Sequence, residues 1–215
     1  MNRRLGLLLL PVGPLCVAFL RVALPGYTAS DGTETARAAL AHPGQQSAVV
    51  WLGFAAMLTL VPGIYAARSL LPAGRLRDWA VGLIVIGYLS LPVLVAGDLI
   101  AWLGADQHLD PALTGKLIDG VHPAFGVGLG LFVVGHVVGT VLLGVLCLRS
   151  GLLPASTSWL LIVSQPLHFV TTVFLGLAWV DFVAWTLTAL GMAAIATSHR
   201  AQDLERPFEL SHQGA

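Results

Sequence analysis

At 215 residues, 56% hydrophobic and only 10% charged, with a mean hydropathy of +0.83, the chain lies far from the composition of a soluble domain and reads as an all-α, polytopic membrane protein. Its 11 Lys and Arg balance its 11 Asp and Glu without a tract of either sign, which excludes the one-signed surface that a nucleic acid or an acidic partner needs. Cys16 and Cys147 form no Cys-x-x-Cys pair, which excludes a thiol oxidoreductase of that type, and their depths in their spans differ by more than a disulfide bridges.

Apolar segments run over 5–24, 47–67, 79–103, 124–148, 159–178 and, shorter, 182–197. Each is close to the roughly 20 residues with which a helix crosses a hydrocarbon core of about 30 Å. Their continuous apolarity, without period-2 alternation, points to helices and not a barrel. The first segment also has the look of a signal peptide, with Thr28-Ala29-Ser30 as small residues before a cut. Its apolar core is long for that role and Arg21 interrupts it, so it is expected to stay as the first of six spans. The loops 25–41 and 104–121 are long enough for short helices, with 33–40 and 111–118 as the segments expected to form them.

Arg3, Arg4, Arg68, Arg75, Arg77, Arg149, Arg200 and Arg206 fall on one side of this six-span arrangement, and only Arg21, Arg37 and Lys116 on the other. The positive-inside bias then places both termini in the cytoplasm and the protein in the plasma membrane, the inner one in a bacterium.

Segments 42–79 and 122–159 share an ordered pattern. Each opens with His-Pro (His42-Pro43, His122-Pro123), passes Thr59 or Thr140 and Gly63 or Gly144, reaches Arg-Ser (Arg68-Ser69, Arg149-Ser150), continues as Leu-Leu-Pro-Ala and closes on Trp79 or Trp159. This is read as a parallel internal repeat, one helix plus its inner turn inserted twice the same way up. His42 and His122 stand where Pro favours the first helical position, as helix caps or as a pair binding a metal or sensing pH.

Ionisable residues inside a membrane are costly and so are the first places to look for function. His136 falls mid-way along the fourth span and His168 in the fifth, where Gln165, His168 and Thr172 share a helical face with Ser164 and Thr171 beside it. Gly126 and Gly130, then Gly135 and Gly139, are small-xxx-small pairs. They predict close packing of the fourth span on the fifth with both histidines between them and Thr140 on an adjoining face. Three roles compete: interhelical hydrogen-bonding glue, a proton relay or ligand position, and bis-His ligation of a b-type haem, for which His122 and His136 nearly share a face. Near the outer surface Asp98 and Arg21 lie at similar depth, where they are expected either to form an ion pair or to snorkel separately to the headgroups.

The phrases Gly135-His136-Val137-Val138-Gly139-Thr140 and Ser164-Gln165-Pro166-Leu167-His168-Phe169, with the hydropathy profile, resemble those of small multi-span integral membrane proteins of high-GC bacteria. The resemblance implies a helical membrane fold and carries over no particular activity. The sequence contains no His-Glu-x-x-His, Gly-x-Ser-x-Gly or nucleotide-binding loop. A small-solute or proton-linked transport or binding component, without covalent catalysis, is therefore expected ahead of a haem-binding redox protein or an accessory subunit. Lipid is the expected partner, with a second copy or another membrane subunit as a further one.

Overall fold

The computed structural model describes residues 3–209, with side chains from 4 to 198. Arg3, Arg200 and Arg206, used above for orientation, have side chains outside those described. Nine α-helices follow in order among the described residues: α1 Arg3–Ala23, α2 Gly32–Ala41, α3 Pro43–Ala67, α4 Arg75–Leu89, α5 Leu91–Asp106, α6 Pro111–Asp119, α7 Pro123–Ser150, α8 Ala155–Val170 and α9 Ala178–Glu209, with a π-helical turn Thr171–Leu175 after α8. Six stretches among the described residues are long and apolar enough to span a membrane, so the chain is a multi-pass helical membrane protein.

The third span is α4 and α5 in series, broken at Ser90. Pro92 has no N–H to give the Tyr88 carbonyl, and the Ser90 hydroxyl bonds back to the Ile86 carbonyl at 3.0 Å, which together bend the helix where the sequence reads as one run.

Each span packs on its neighbours in the chain: α1 on α3, α3 on α4 and α5, these on α7, α7 on α8, and α8 on α9. The sixth span then returns to α1. Six spans thus close into a ring in chain order. Its outer surface exposes Trp51, Tyr65, Phe174 and Trp179 to lipid, while Ile64, Ile84, Leu143, Leu161, Trp185 and Met192 fill the inside. Between helices in lipid, close van der Waals packing supplies the attraction that water would otherwise supply.

Glycines set the closest seams. A Cβ on Gly135 would lie 2.6 Å from the Leu83 carbonyl oxygen and 2.7 Å from Gly87 Cα, and one on Gly139 2.8 Å from Ile84 N. The Gly135/Gly139 pair therefore seats α7 on α4, not on α8 as the spacing alone suggests. Gly126 and Gly130 have no atom within 4 Å of a Cβ position and make no seam. Contact between α7 and α8 runs instead through Gly144, where a Cβ would meet Ile162 N at 3.0 Å. Although α3 and α7 run in the same direction, the matching Gly63 packs on a different helix, with a Cβ 2.7 Å from Leu10 Cα on α1.

The two long loops lie at the end of the ring opposite the termini and fold into α2 and α6. Asp31 caps α2 by accepting from Glu34 N at 2.8 Å, and Asp110 caps α6 by accepting from Ala112 N and Leu113 N at 2.9 and 3.0 Å. These helices pack against each other across the ring mouth, tied by Asp119, which accepts from Gly32 N at 3.0 Å. A Cβ on Gly115 would sit 2.6 Å from Thr33 N, so Gly115→Val is expected to prise α2 from α6. Overpacking of this kind costs about 1–3 kcal/mol, and hydrogen exchange should accelerate in these two helices while the spans stay protected.

Candidate functional site

Asp181 lies in the first turn of α9 with no exposed side-chain surface. One oxygen, Oδ1, sits 2.5 Å from His168 Nδ1 on α8. The other, Oδ2, accepts from the Tyr27 hydroxyl at 2.8 Å and the Thr172 hydroxyl at 3.1 Å, and lies 3.3 Å from Arg21 Nε on α1. Four groups from three parts of the chain thus converge on one carboxylate. Burial pushes the Tyr27 hydroxyl up to about 12, so this loop residue stays a proton donor to Asp181.

The local fold explains the convergence. The π-helical turn at Thr171–Leu175 and left-handed Gly176 reverse the chain within a few residues. The short link holds the end of α8 beside the start of α9 and brings His168 onto Asp181. A single wide turn of this sort inside or ending a helix often marks a functional place.

His168 Nδ1 is also approached by the Trp185 indole N–H at 3.2 Å and by the Thr172 hydroxyl at 3.2 Å. One nitrogen cannot donate to a carboxylate and accept from an indole together. With the proton on Nδ1, Asp181 accepts and Trp185 loses its acceptor; with the proton on Asp181 Oδ1, that O–H takes the single lone pair of Nδ1 and the indole can only share it. Trp185, packed on both imidazole rings, is therefore sensitive to the protonation of this pair.

Deeper in the ring, Trp185 stacks on His136, with ring centroids 5.4 Å apart and planes at 20°. The His136 and His168 rings are also 5.4 Å apart. His136 Nδ1 bonds to the Phe132 carbonyl, which fixes that ring on its own helix and leaves Nε2 buried with no hydrogen-bond partner among the described residues. Gln165 Nε2 donates to the Thr188 hydroxyl at 2.7 Å, which donates to Ser164 at 2.8 Å. Asp181, Trp185 and Thr188 run down one face of α9 at i, i+4 and i+7, so this polar line descends about 10 Å from the ring mouth.

The residues singled out in the sequence divide accordingly. His136, His168, Gln165 and Thr172 meet in or beside this line. Thr140 is buried on α7 beside the buried Tyr88 hydroxyl on α4. Arg21 ion-pairs with Asp181; of the two arrangements expected for Arg21 and Asp98, direct contact at ion-pair distance does not occur among the described residues, because α9 closes the ring on α1 and brings Asp181 nearer, and Asp98 interacts with Arg21 only across a gap. Asp98 instead faces a cavity that Arg21 also lines. His42 and His122 are exposed caps of α3 and α7, and His122 Nδ1 accepts from Ala124 N at 3.2 Å; both stand apart from the buried site. A haem held by His136 and His168 would have to displace Trp185, which packs on both rings at 5.4 and 5.2 Å.

Asp181, Tyr27, Trp185 and Thr188 were not foreseen. The signal was present in the i, i+4, i+7 spacing on the sixth span, but a hydropathy boundary drawn at Phe182 leaves Asp181 outside the helix, whereas α9 starts at Ala178.

The geometry defines the class of protein: a six-span helical membrane protein with a buried ionisable network inside its ring. No family model, curated protein or solved structure matches the chain.

Proposed function

We propose that the protein is a proton-linked component for binding or transporting a small solute, and that His168 and Asp181 carry the proton. The observation that carries this reading is the Asp181 carboxylate, fully buried and shared by His168, Arg21, Tyr27 and Thr172. A bundle that only needed stability would gain as much from apolar residues of similar volume, because removing paired charges from water offsets most of their attraction. A histidine is the side chain whose charge changes near neutral pH, and here its partner reaches toward the ring mouth through Tyr27 while Trp185 and His136 continue the line inward. The protein would lie in the plasma membrane with both termini cytoplasmic, so that the line opens on the outer side.

A single-tryptophan variant retaining Trp185 tests this. Its indole N–H resonance is expected to shift as pH is taken from about 5 to 8, as the His168–Asp181 pair loses a proton to solvent, and the shift should vanish in His168→Gln. A resonance that stays constant over that range in the folded parent protein would reduce the network to packing.

A further inference from the structure

Beside the network, and sharing Arg21 with it, a cavity of about 250 Å³ opens inside the ring beneath α2 and α6. Its walls are mostly apolar, with Leu20 on α1, Leu94 and Val95 on α5, and Phe132 on α7, while Thr35 and Ile118 reach it from the capping helices. Two charged side chains line it, Arg21 and Asp98. Its volume lies just below the roughly 300–1,000 Å³ of pockets for drug-sized ligands, and so suits a small solute.

The two charges are incompletely used. Arg21 approaches Asp181 through Nε alone at 3.3 Å and makes no hydrogen bond to the protein among the described residues, although a guanidinium has five N–H donors. Asp98 meets no cation at ion-pair distance among those residues, but it feels Arg21 across the cavity and its side chain is within reach of the Gln46 amide. The nearby Gln46 amide donates at 3.0 Å to the Asp98 backbone carbonyl and is itself buried, which holds α5 in place against α3. A cavity with an underused cation and an underused carboxylate on an otherwise apolar wall discriminates by charge pattern. A plain ammonium would satisfy Asp98 but meet Arg21, and a plain carboxylate would satisfy Arg21 but meet Asp98 with Asp181 behind. A zwitterion satisfies both and adds no net charge to the membrane interior.

We infer that this cavity is the solute site and that it takes an apolar α-amino acid, carboxylate on Arg21, ammonium on Asp98, and side chain against Leu20, Leu94, Val95 and Phe132. The assignment rests on the solute-binding reading above and names the class of solute. It also gives Arg21 a shared position, with Nε toward the proton-carrying Asp181 and its remaining donors toward the solute, so that occupancy of one side is felt by the other.

Purified full-length protein in lipid nanodiscs, probed with radiolabelled leucine, provides the test. Saturable binding is expected, with 3-methylbutylamine (leucine without its carboxylate) and 4-methylpentanoate (leucine without its ammonium) each competing about tenfold or more weakly than leucine, since a site built around polar groups rejects ligands that leave them unpaired, and glycine about tenfold or more weakly because it leaves the apolar wall unfilled. Asp98→Asn should weaken leucine about tenfold or more while leaving 4-methylpentanoate no weaker. Absence of saturable leucine and phenylalanine binding, or an amine or acid that competes as well as leucine, would overturn the assignment without recourse to any variant. The Trp185 titration is independent: if it occurs and no zwitterion binds, the ligand class fails alone, and if leucine binds while Trp185 does not titrate, the proton-carrying role fails alone.

Discussion

Asp181→Ala is expected to be among the most damaging single changes within the ring. It removes the acceptor of Tyr27, Thr172 and His168 and the partner of Arg21 at one stroke, and the side chains left behind have little water to turn to, with Arg21 12% and His168 6% exposed. Stripping one partner from a buried pair costs about 3–5 kcal/mol. Snorkelling of Arg21 toward the ring mouth favours the lower part of that range. The loss is specific to the stranded charge, so Arg21→Met in the Asp181→Leu background should recover stability, with a coupling of about 1–3 kcal/mol between the sites. Thermal unfolding of the four proteins in one detergent measures it. Additive losses would mean that Arg21 and Asp181 are held apart by solvent and that the network does not act as a unit.

The same residue shows where sequence reasoning reached and where it stopped. Span number and approximate ends follow from hydropathy, because lipid demands about 20 apolar residues whatever they pack against. The helix starts at His42-Pro43 and His122-Pro123 and the short helices in the long loops were legible for a similar reason, since each depends on residues within a turn. His136 and His168 stood out as polar residues at depth. Their true partners did not, because which helix faces which is decided by the closing of the ring, a contact between the first and last spans that no local pattern encodes. Asp98 and Asp181 are equally plausible partners for Arg21 by depth; only the packing of α9 on α1 separates them. Likewise two small-xxx-small pairs on α7 look alike as text, and one of them touches nothing.

That last contrast gives the second large effect. Gly135→Val is expected to cost at least as much as a severe core overpacking, about 3 kcal/mol, because the added Cβ meets backbone and not a flexible side chain: the Leu83 carbonyl oxygen at 2.6 Å and Gly87 Cα and N at 2.7 Å each. No rotamer relieves such a contact, so α7 has to move away from α4. Gly130→Ala, on the same helix and facing nothing within 4 Å, should instead be neutral or gain up to about 1 kcal/mol from helix propensity. The separation forced at Gly135 also reaches the site. A Cβ on Gly87 would lie 2.6 Å from the backbone N of His136, so that seam fixes the depth at which His136 stacks on Trp185. The Trp185 resonance should therefore change in the residual folded fraction of Gly135→Ala, at constant pH, while remaining at its parental position in Gly130→Ala. If both alanine variants unfold at the same temperature, the α4–α7 seam is looser than these distances require, and His136 takes its position from α8 and α9 instead.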